Sequence, residues 1–326
     1  MLWIDNCLLA DPKPREGALR IEGQFITGRS PRLTVKVPTL DACGLTIVPA
    51  FVDAHVHLSV AGNPQLIARE ELRRGVAGVI DLGHPEALLP ALDLRPLRVR
   101  FAGPLFTSPG GYPTQSWGKD GYGLELATPG EARAAVGRLA AAQARFLKLA
   151  FDPRWPLLAL EVARAAADEA HRLGMLVAAH ALEVESVRLA LDAGADVLAH
   201  TPREKLPADL LERMKGKWVI STLLPFGIAP ERLAALREAG ARIAYGTDLG
   251  NRETAPGIAA RELALIKEAG VDPLRAATQD AAELAGLKDL GRLSVGSAAS
   301  LLAVRSLEPA DLARPVWVMN CGKLVV

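Results

Sequence analysis

Residues 47–58 read Ile-Val-Pro-Ala-Phe-Val-Asp-Ala-His-Val-His-Leu, and the fold turns on how their second half is interpreted. Phe51-Val52-Asp53-Ala54 has the apolar character of a buried strand that delivers His55 and His57 at its far end. Side chains at i and i+2 of a strand share a face, so the two imidazoles converge on one spot. Two neutral imidazoles meeting at a strand end suit a divalent transition metal, zinc foremost. Pro49 fits the entry to a strand, where the ladder does not need its missing N–H. Taken alone, the pair could equally be two histidines on a sheet rim, and the rest of the chain must choose.

Downstream, apolar runs alternate with amphipathic ones. Strand character recurs at 79–82, 99–106, 146–151, 175–181, 196–200, 218–223 and 242–247. Helical character falls at 65–74, 85–92, 129–144, 157–173, 184–193, 208–214, 230–239 and 258–268, with one extra helix at 273–285. Thr128, Pro129 and Glu131 form the signature of a capping box for the third of these. Between the third strand and that helix lies a long loop, 107–127, rich in Gly, Ser, Pro and aromatic residues. Eight strand–helix units imply an α/β fold closed as a (β/α)8 barrel. An open doubly wound sheet would want a Gly-rich dinucleotide turn after the first strand, and none is there.

Upstream, short apolar runs at 2–9, 18–22, 33–37 and 46–48 are broken by the turn formers Asp11-Pro12-Lys13-Pro14 and Gly28-Arg29-Ser30-Pro31. They are too short for a core of their own. The tail offers a partner: an apolar run at 299–304, then Val316-Trp317-Val318-Met319 and Lys323-Leu324-Val325-Val326 around the hairpin signal Asn320-Cys321-Gly322. Residues 1–48 and 288–326 are therefore expected to form one small β domain beside a barrel over 49–287.

At 326 residues the chain has room for a barrel of about 250 residues and a small companion. Half its residues are hydrophobic, enough for a sizeable core. A net charge of +1 without basic or acidic blocks points to no nucleic acid and no anionic membrane as partner. Cys7, Cys43 and Cys321 form neither a CxxC pair nor an even framework, as expected in a reducing compartment. With no secretory start and no membrane-length apolar run, a cytoplasmic protein acting on a small molecule is expected. Homo-oligomer formation is left open.

Barrel chemistry sits at the C-terminal ends of strands. Those ends carry His55 and His57 on the first, Lys148 on the fourth, His180 on the fifth, His200 on the sixth and Asp248 on the eighth. Each alone has an ordinary explanation: a core histidine, a loop anchor, a turn aspartate or a lysine that snorkels to water. Together they are hard to dismiss, because four of the six histidines in the chain fall on these ends.

At that point the chain resembles the amidohydrolase superfamily, metal-dependent hydrolases built on a (β/α)8 barrel with a small composite β-sandwich. The segments that carry the resemblance span essentially the whole chain. They are Ile21-Glu22-Gly23-Gln24-Phe25-Ile26, the approach from Leu40 to Pro49, the motif Asp53-Ala54-His55-Val56-His57-Leu58, and Gly291-Arg292-Leu293-Ser294-Val295-Gly296-Ser297-Ala298-Ala299. Ala50 stands where the family usually has Gly. Phe146-Leu147-Lys148 is similar to the lysine strand of the binuclear, dipeptidase-like and imidazolonepropionase-related branch.

The resemblance implies that His55, His57 and Asp248 hold one divalent metal and His180 and His200 the other. Zinc is first choice, with manganese, cobalt and iron as alternatives. Lys148, carboxylated by CO2 to N6-carboxylysine, would bridge the pair. A hydroxide shared by the metals would attack an amide (dipeptide or N-acyl amino acid), lactone or related ester, with Asp248 as general base and then acid. Tyr112 and Trp117 resemble a substrate-contacting loop of that branch, and His84, Arg154 and Arg203 also follow strands, placed to meet a carboxylate. Two alternatives stand beside this: a mononuclear zinc deaminase using Glu183 of His180-Ala181-Leu182-Glu183, and a non-catalytic relative.

Overall fold

The computed structural model describes residues 1–10, 13–31, 37–251 and 254–325. Residues 33–36 of the run expected over 33–37, the Asp11-Pro12 half of the first turn and Val326 lie outside the described residues.

The barrel closes as expected. Its first, second and third strands, Phe51–Val56, Val76–Asp81 and Arg98–Phe101, pair in parallel order. Phe146–Phe151, Leu176–Ala181, Val197–Leu198, Trp218–Ile220 and Arg242–Ala244 continue as the fourth to eighth, again parallel. Ala54 N donates to Tyr245 O at 3.0 Å and Val56 bridges Leu249, which joins the eighth strand to the first. The first, second and fourth strands are buried at every residue, because the inner face is filled by side chains and the outer by helices.

Local departures have local causes. The third strand divides at Gly103 (φ 84°), and its second piece, Leu105–Thr107, is the one that pairs with the fourth strand. The 107–127 loop is not structureless: Gly123–Glu125 returns as a short strand alongside Leu105–Thr107. The stretch expected as a helix over 85–92 is a 3-10 turn over Glu86–Leu92, with Pro90 inside it denying the α-helical bond. The helix expected over 273–285 is broken by a π-turn at Ala276–Asp280. The capping box forms as expected: Thr128 Oγ1 accepts from Glu131 N, and the Glu131 carboxylate accepts from Thr128 N.

Both chain ends enter one mixed sheet. Its order is Lys323–Leu324, Trp317–Asn320, Leu301–Val304, Thr46–Pro49, Leu2–Ala10, Pro14–Glu22, Phe25–Ser30, with Thr39–Asp41 also against Leu2–Ala10. The turn expected at Gly28-Arg29-Ser30 is instead strand: Gly28 lies opposite Arg20, where it leaves room for the arginine side chain. A second apolar cluster, separate from that of the barrel, packs Ile4, Leu19, Ile26 and Ile47 against Leu293, Leu301 and Met319. The fold is a TIM-type barrel carrying a composite β-sandwich built from both termini. No described helix is long and apolar enough to cross a membrane.

Candidate metal centre

The first strand turns 53, 55 and 57 to the same side, toward the barrel mouth. Asp53 is fully buried and joins the first and eighth strands beneath the histidines. It accepts from His55 N and Thr247 N, both at 3.0 Å, and from Thr247 Oγ1 at 2.6 Å. Burial pushes its carboxyl up to about 7. From the eighth strand, Asp248 N donates to His55 O at 2.8 Å. Asp248 takes a left-handed backbone (φ 55°), and this swings its carboxylate over the two imidazoles.

Three histidines have their outward nitrogens tethered. His55 Nδ1 lies 2.8 Å from Ala199 O, His57 Nδ1 3.3 Å from Gly83 O, and His200 Nδ1 3.0 Å from Thr222 Oγ1. A proton on each Nδ1, given to these oxygens, leaves each Nε2 lone pair free. Burial favours the same state: it holds His55 and His200 well below the ordinary imidazole range and brings His180 down to about 3. Asp248 stays ionised, because His55 and His57 outweigh the burial that would raise it.

His55 Nε2, His57 Nε2 and Asp248 Oδ1 are mutually 3.3 Å apart. The centre of such a triangle lies about 1.9 Å from each corner, close to the roughly 2.0–2.1 Å of zinc–imidazole bonds. Two nitrogens and a carboxylate oxygen, all buried, thus fit a divalent cation.

Beside this triad the His200 ring is 4.7 Å from His55 and 4.8 Å from His180, centroid to centroid. Lys148, on the inner face of the fourth strand, is 1 % exposed, and its Nζ has no hydrogen-bond partner among the described residues. Burial brings its amine down to about 7, with Asp248 opposing. A buried amine with a substantial neutral fraction at neutral pH is what reaction with CO2 needs, so Lys148 fits the carboxylated bridge.

His57, Lys148, His180, His200 and Asp248 line one cavity of about 350 Å³, with Val60, Leu105, Ser116, Gly250 and Asn251. Three aromatic walls each lean on a histidine. Trp117 lies 5.2 Å from His57, Tyr112 4.8 Å from His180 and Phe226 4.6 Å from His200. The structure therefore brings Tyr112 and Trp117 to the cavity with five of the six expected ligands, and the sixth, His55, lies fully buried beside it with Nε2 3.3 Å from His57 Nε2.

His84 does not reach that wall. It is 1 % exposed, with Nδ1 3.1 Å from Ser59 Oγ and 3.4 Å from Asp81 Oδ2, because the chain after the second strand folds inward under the loop. Arg203 sits behind the wall, its guanidinium 5.5 Å over the Phe226 ring, and Arg154 is held by both oxygens of Asp152. Glu183 is half-buried just before the helix Val184–Asp192 and off the cavity wall.

Sequence reasoning missed Phe226, Thr222 and Asn251. Thr222 closes the seventh strand end with Ser221, a polar pair that could have been singled out by position. Asn251 Nδ2, which donates to Asp248 Oδ2 at 2.9 Å, follows the eighth strand by the same logic.

The amidohydrolase family model matches residues 46–323. An uncharacterized protein of Mycobacterium tuberculosis is 29% identical over 279 residues, 72% of this chain and 73% of its own. Imidazolonepropionase of Paracoccus denitrificans is 32% identical over 160 residues, 44% of this chain and 39% of the enzyme. Among solved structures, a Xaa-Pro dipeptidase with bound methionine in the active site superposes with a TM-score of 0.85 at 20% identity. It covers 99% of both chains.

Proposed function

This chain belongs to the amidohydrolase family of metal-dependent hydrolases, and from that premise we propose that it cleaves an amide bond of a dipeptide or N-acyl amino acid, or a related lactone or ester, at a two-metal centre. The observation that carries the proposal is Lys148: a buried amine without a hydrogen-bond partner among the described residues, opening on the same cavity as His57, His180, His200 and Asp248. His55, His57 and Asp248 would hold one divalent ion and His180 and His200 the other, with Lys148, carboxylated by CO2, between them. Zinc is the first candidate, ahead of manganese, cobalt and iron. Bound there, the ions would supply a water acidic enough to attack at neutral pH and would polarise the scissile carbonyl.

The chain's own residues do the rest. Asp248 is ionised and has Oδ2 steadied by Asn251, so it can accept the attacking water's proton and pass it to the leaving group. The tethered Nδ1 atoms of His55, His57 and His200 keep these rings from turning as charge changes beside them. Tyr112, Trp117 and Phe226 enclose the apolar part of a substrate and exclude bulk water. The similarity to imidazolonepropionase and to a Xaa-Pro dipeptidase favours cyclic amides and dipeptides as the first compounds to try. In this view residues 49–287 form the catalytic barrel, and 1–48 with 288–326 its supporting sandwich.

Elemental analysis of protein purified without chelator, in bicarbonate, tests the centre. Near two equivalents of metal per chain, with hydrolysis in a dipeptide, N-acyl amino acid and lactone panel, is expected. One tightly held equivalent with ring deamination and no hydrolysis would overturn it in favour of the Glu183 deaminase.

A further inference from the structure

Thr222 tethers His200 with its hydroxyl, and in doing so it gives up a task of its own. It stands at the N-cap of the short helix Leu223–Phe226, where a threonine hydroxyl ordinarily accepts from an amide of the first turn. Its side chain makes no such bond. Pro225 has no N–H to give, so Leu223 and Leu224 carry the open amides of this turn. Glu262 takes both: Leu223 N donates to Oε1 at 2.9 Å and Leu224 N to Oε2 at 2.7 Å. That carboxylate comes from a different element, the helix Ala260–Glu268 after the eighth strand, and is fully buried. Burial raises its carboxyl, opposed by Ser221 and by the two amides.

Thr222 is held from both sides. Before it, Ser221 O accepts from Oγ1 of Thr201, the residue next to His200, at 2.8 Å. After it come the two amides on Glu262. Between them Thr222 keeps a left-handed backbone (φ 39°) that a β-branched residue disfavours, so the turn needs both holds. Resting on the two-metal function above, we propose that Glu262 is a positioning residue of the metal centre: it caps the turn after the seventh strand in place of Thr222, which frees the Thr222 hydroxyl to fix the ring of His200. Neither Glu262 nor Thr222 lines the cavity, so what they do at the centre is done through His200.

The test is a cobalt(II) titration of the full chain in bicarbonate, with affinities read by chelator competition. His200→Ala identifies the equivalent that depends on His200. Glu262→Gln keeps the shape but sets an amide N–H against one of the two backbone donors. It is expected to weaken the His200-dependent equivalent about tenfold and to leave the other within about twofold. If Glu262 acts through Thr222, the two substitutions share one effect, so adding E262Q to Thr222→Val should cost less than about a further twofold. A second measurement needs no metal. In metal-free protein the ¹⁵N signals of the His200 ring should show the proton on Nδ1 in wild type and a mixture of tautomers in E262Q.

Equal weakening of both equivalents, or full additivity of E262Q with T222V, would overturn the proposal, since Glu262 would then serve overall stability alone. An unchanged His200 tautomer would overturn it too. Should E262Q fail to fold, Glu262→Asp takes its place in the same cycle, keeping the charge and both oxygens on a stem one carbon shorter. Wild type that binds one cobalt regardless of His200, while E262Q still shifts the tautomer, would sink the two-metal function and leave the positioning role standing.

Discussion

Thr222 Oγ1 stands 3.0 Å from His200 Nδ1, and Thr222 holds that place from a left-handed backbone, φ 39°. A β-branched residue in that region is strained, at a cost on the order of 1–3 kcal/mol. The hydroxyl fixes which nitrogen of His200 keeps its proton. Thr222→Val preserves the shape and removes the acceptor. Metal affinity is expected to fall about ten- to hundredfold, read by competition with a chromogenic chelator. Unchanged affinity would mean that packing alone orients the ring.

Lys148 raises an opposite expectation for stability and for metal. Its amine is buried, has no hydrogen-bond partner among the described residues and is lowered to about 7 from 10.5. Below pH 7 the folded metal-free chain must therefore carry a charge that it disfavours. Between pH 7 and 10.5 the unfolded chain binds more protons, so stability contributed here rises with pH. Lys148→Met removes the group with little change of volume. Metal-free K148M is expected to be more stable than metal-free parent by about 1–3 kcal/mol at pH 7, with the gain shrinking toward pH 10.5. In the loaded protein, metal content should drop to one equivalent or less and hydrolysis should vanish. Urea unfolding with and without chelator checks both halves.

How far the residue string went follows from what each feature depends on. The barrel was legible because period and run length are local, and His55 and His57 because one strand delivers both. Lys148, His180, His200 and Asp248 were legible once strand ends could be counted. What sequence could not supply was direction off the strand. His84 follows the second strand much as Asp248 follows the eighth, yet it turns inward to Ser59 and Asp81 instead of reaching the cavity. Arg203 could be placed near the mouth, but the ring it covers could not be guessed, since Phe226 comes from a turn one strand away. The division of the third strand at Gly103 and the strand through Gly28 escape a local reading in opposite ways: Gly103 (φ 84°) turns within an apolar run that reads as one strand, whereas Gly28 has the look of a turn former until pairing opposite Arg20 holds it in the sheet.

Glu71 sets a stability limit away from the cavity. It is 1 % exposed, accepts from Gly257 N at 3.0 Å, and is pushed up to about 8 by burial and by Asp53 nearby. Its folded value lies above its unfolded one of 4.5. The stability it contributes is therefore full below pH 4.5 and lost as pH rises to 8, with a slope of up to about 1.4 kcal/mol per pH unit. Glu71→Gln keeps the acceptor and cannot ionise. The metal-free variant should lose less stability than the parent between pH 5.5 and pH 7.5 in urea titrations. Parallel curves would show that Glu71 ionises freely in the folded chain.

Asp248 separates backbone from chemistry. Its φ of 55° suits asparagine almost as well as aspartate, whereas alanine pays about 1–2 kcal/mol there. Its carboxylate is the group assigned to proton transfer, and Asn cannot replace it. Asp248→Asn and Asp248→Ala should thus lose activity alike, by at least about 10²-fold. In stability they should part, with metal-free D248N above D248A by about 1–2 kcal/mol. Melting curves on chelator-treated protein, beside initial rates on loaded protein, decide the matter. If D248N kept its activity, proton transfer would have to be given to another group on the cavity wall. If the two variants melted together, the left-handed turn would not be what selects the residue at this position.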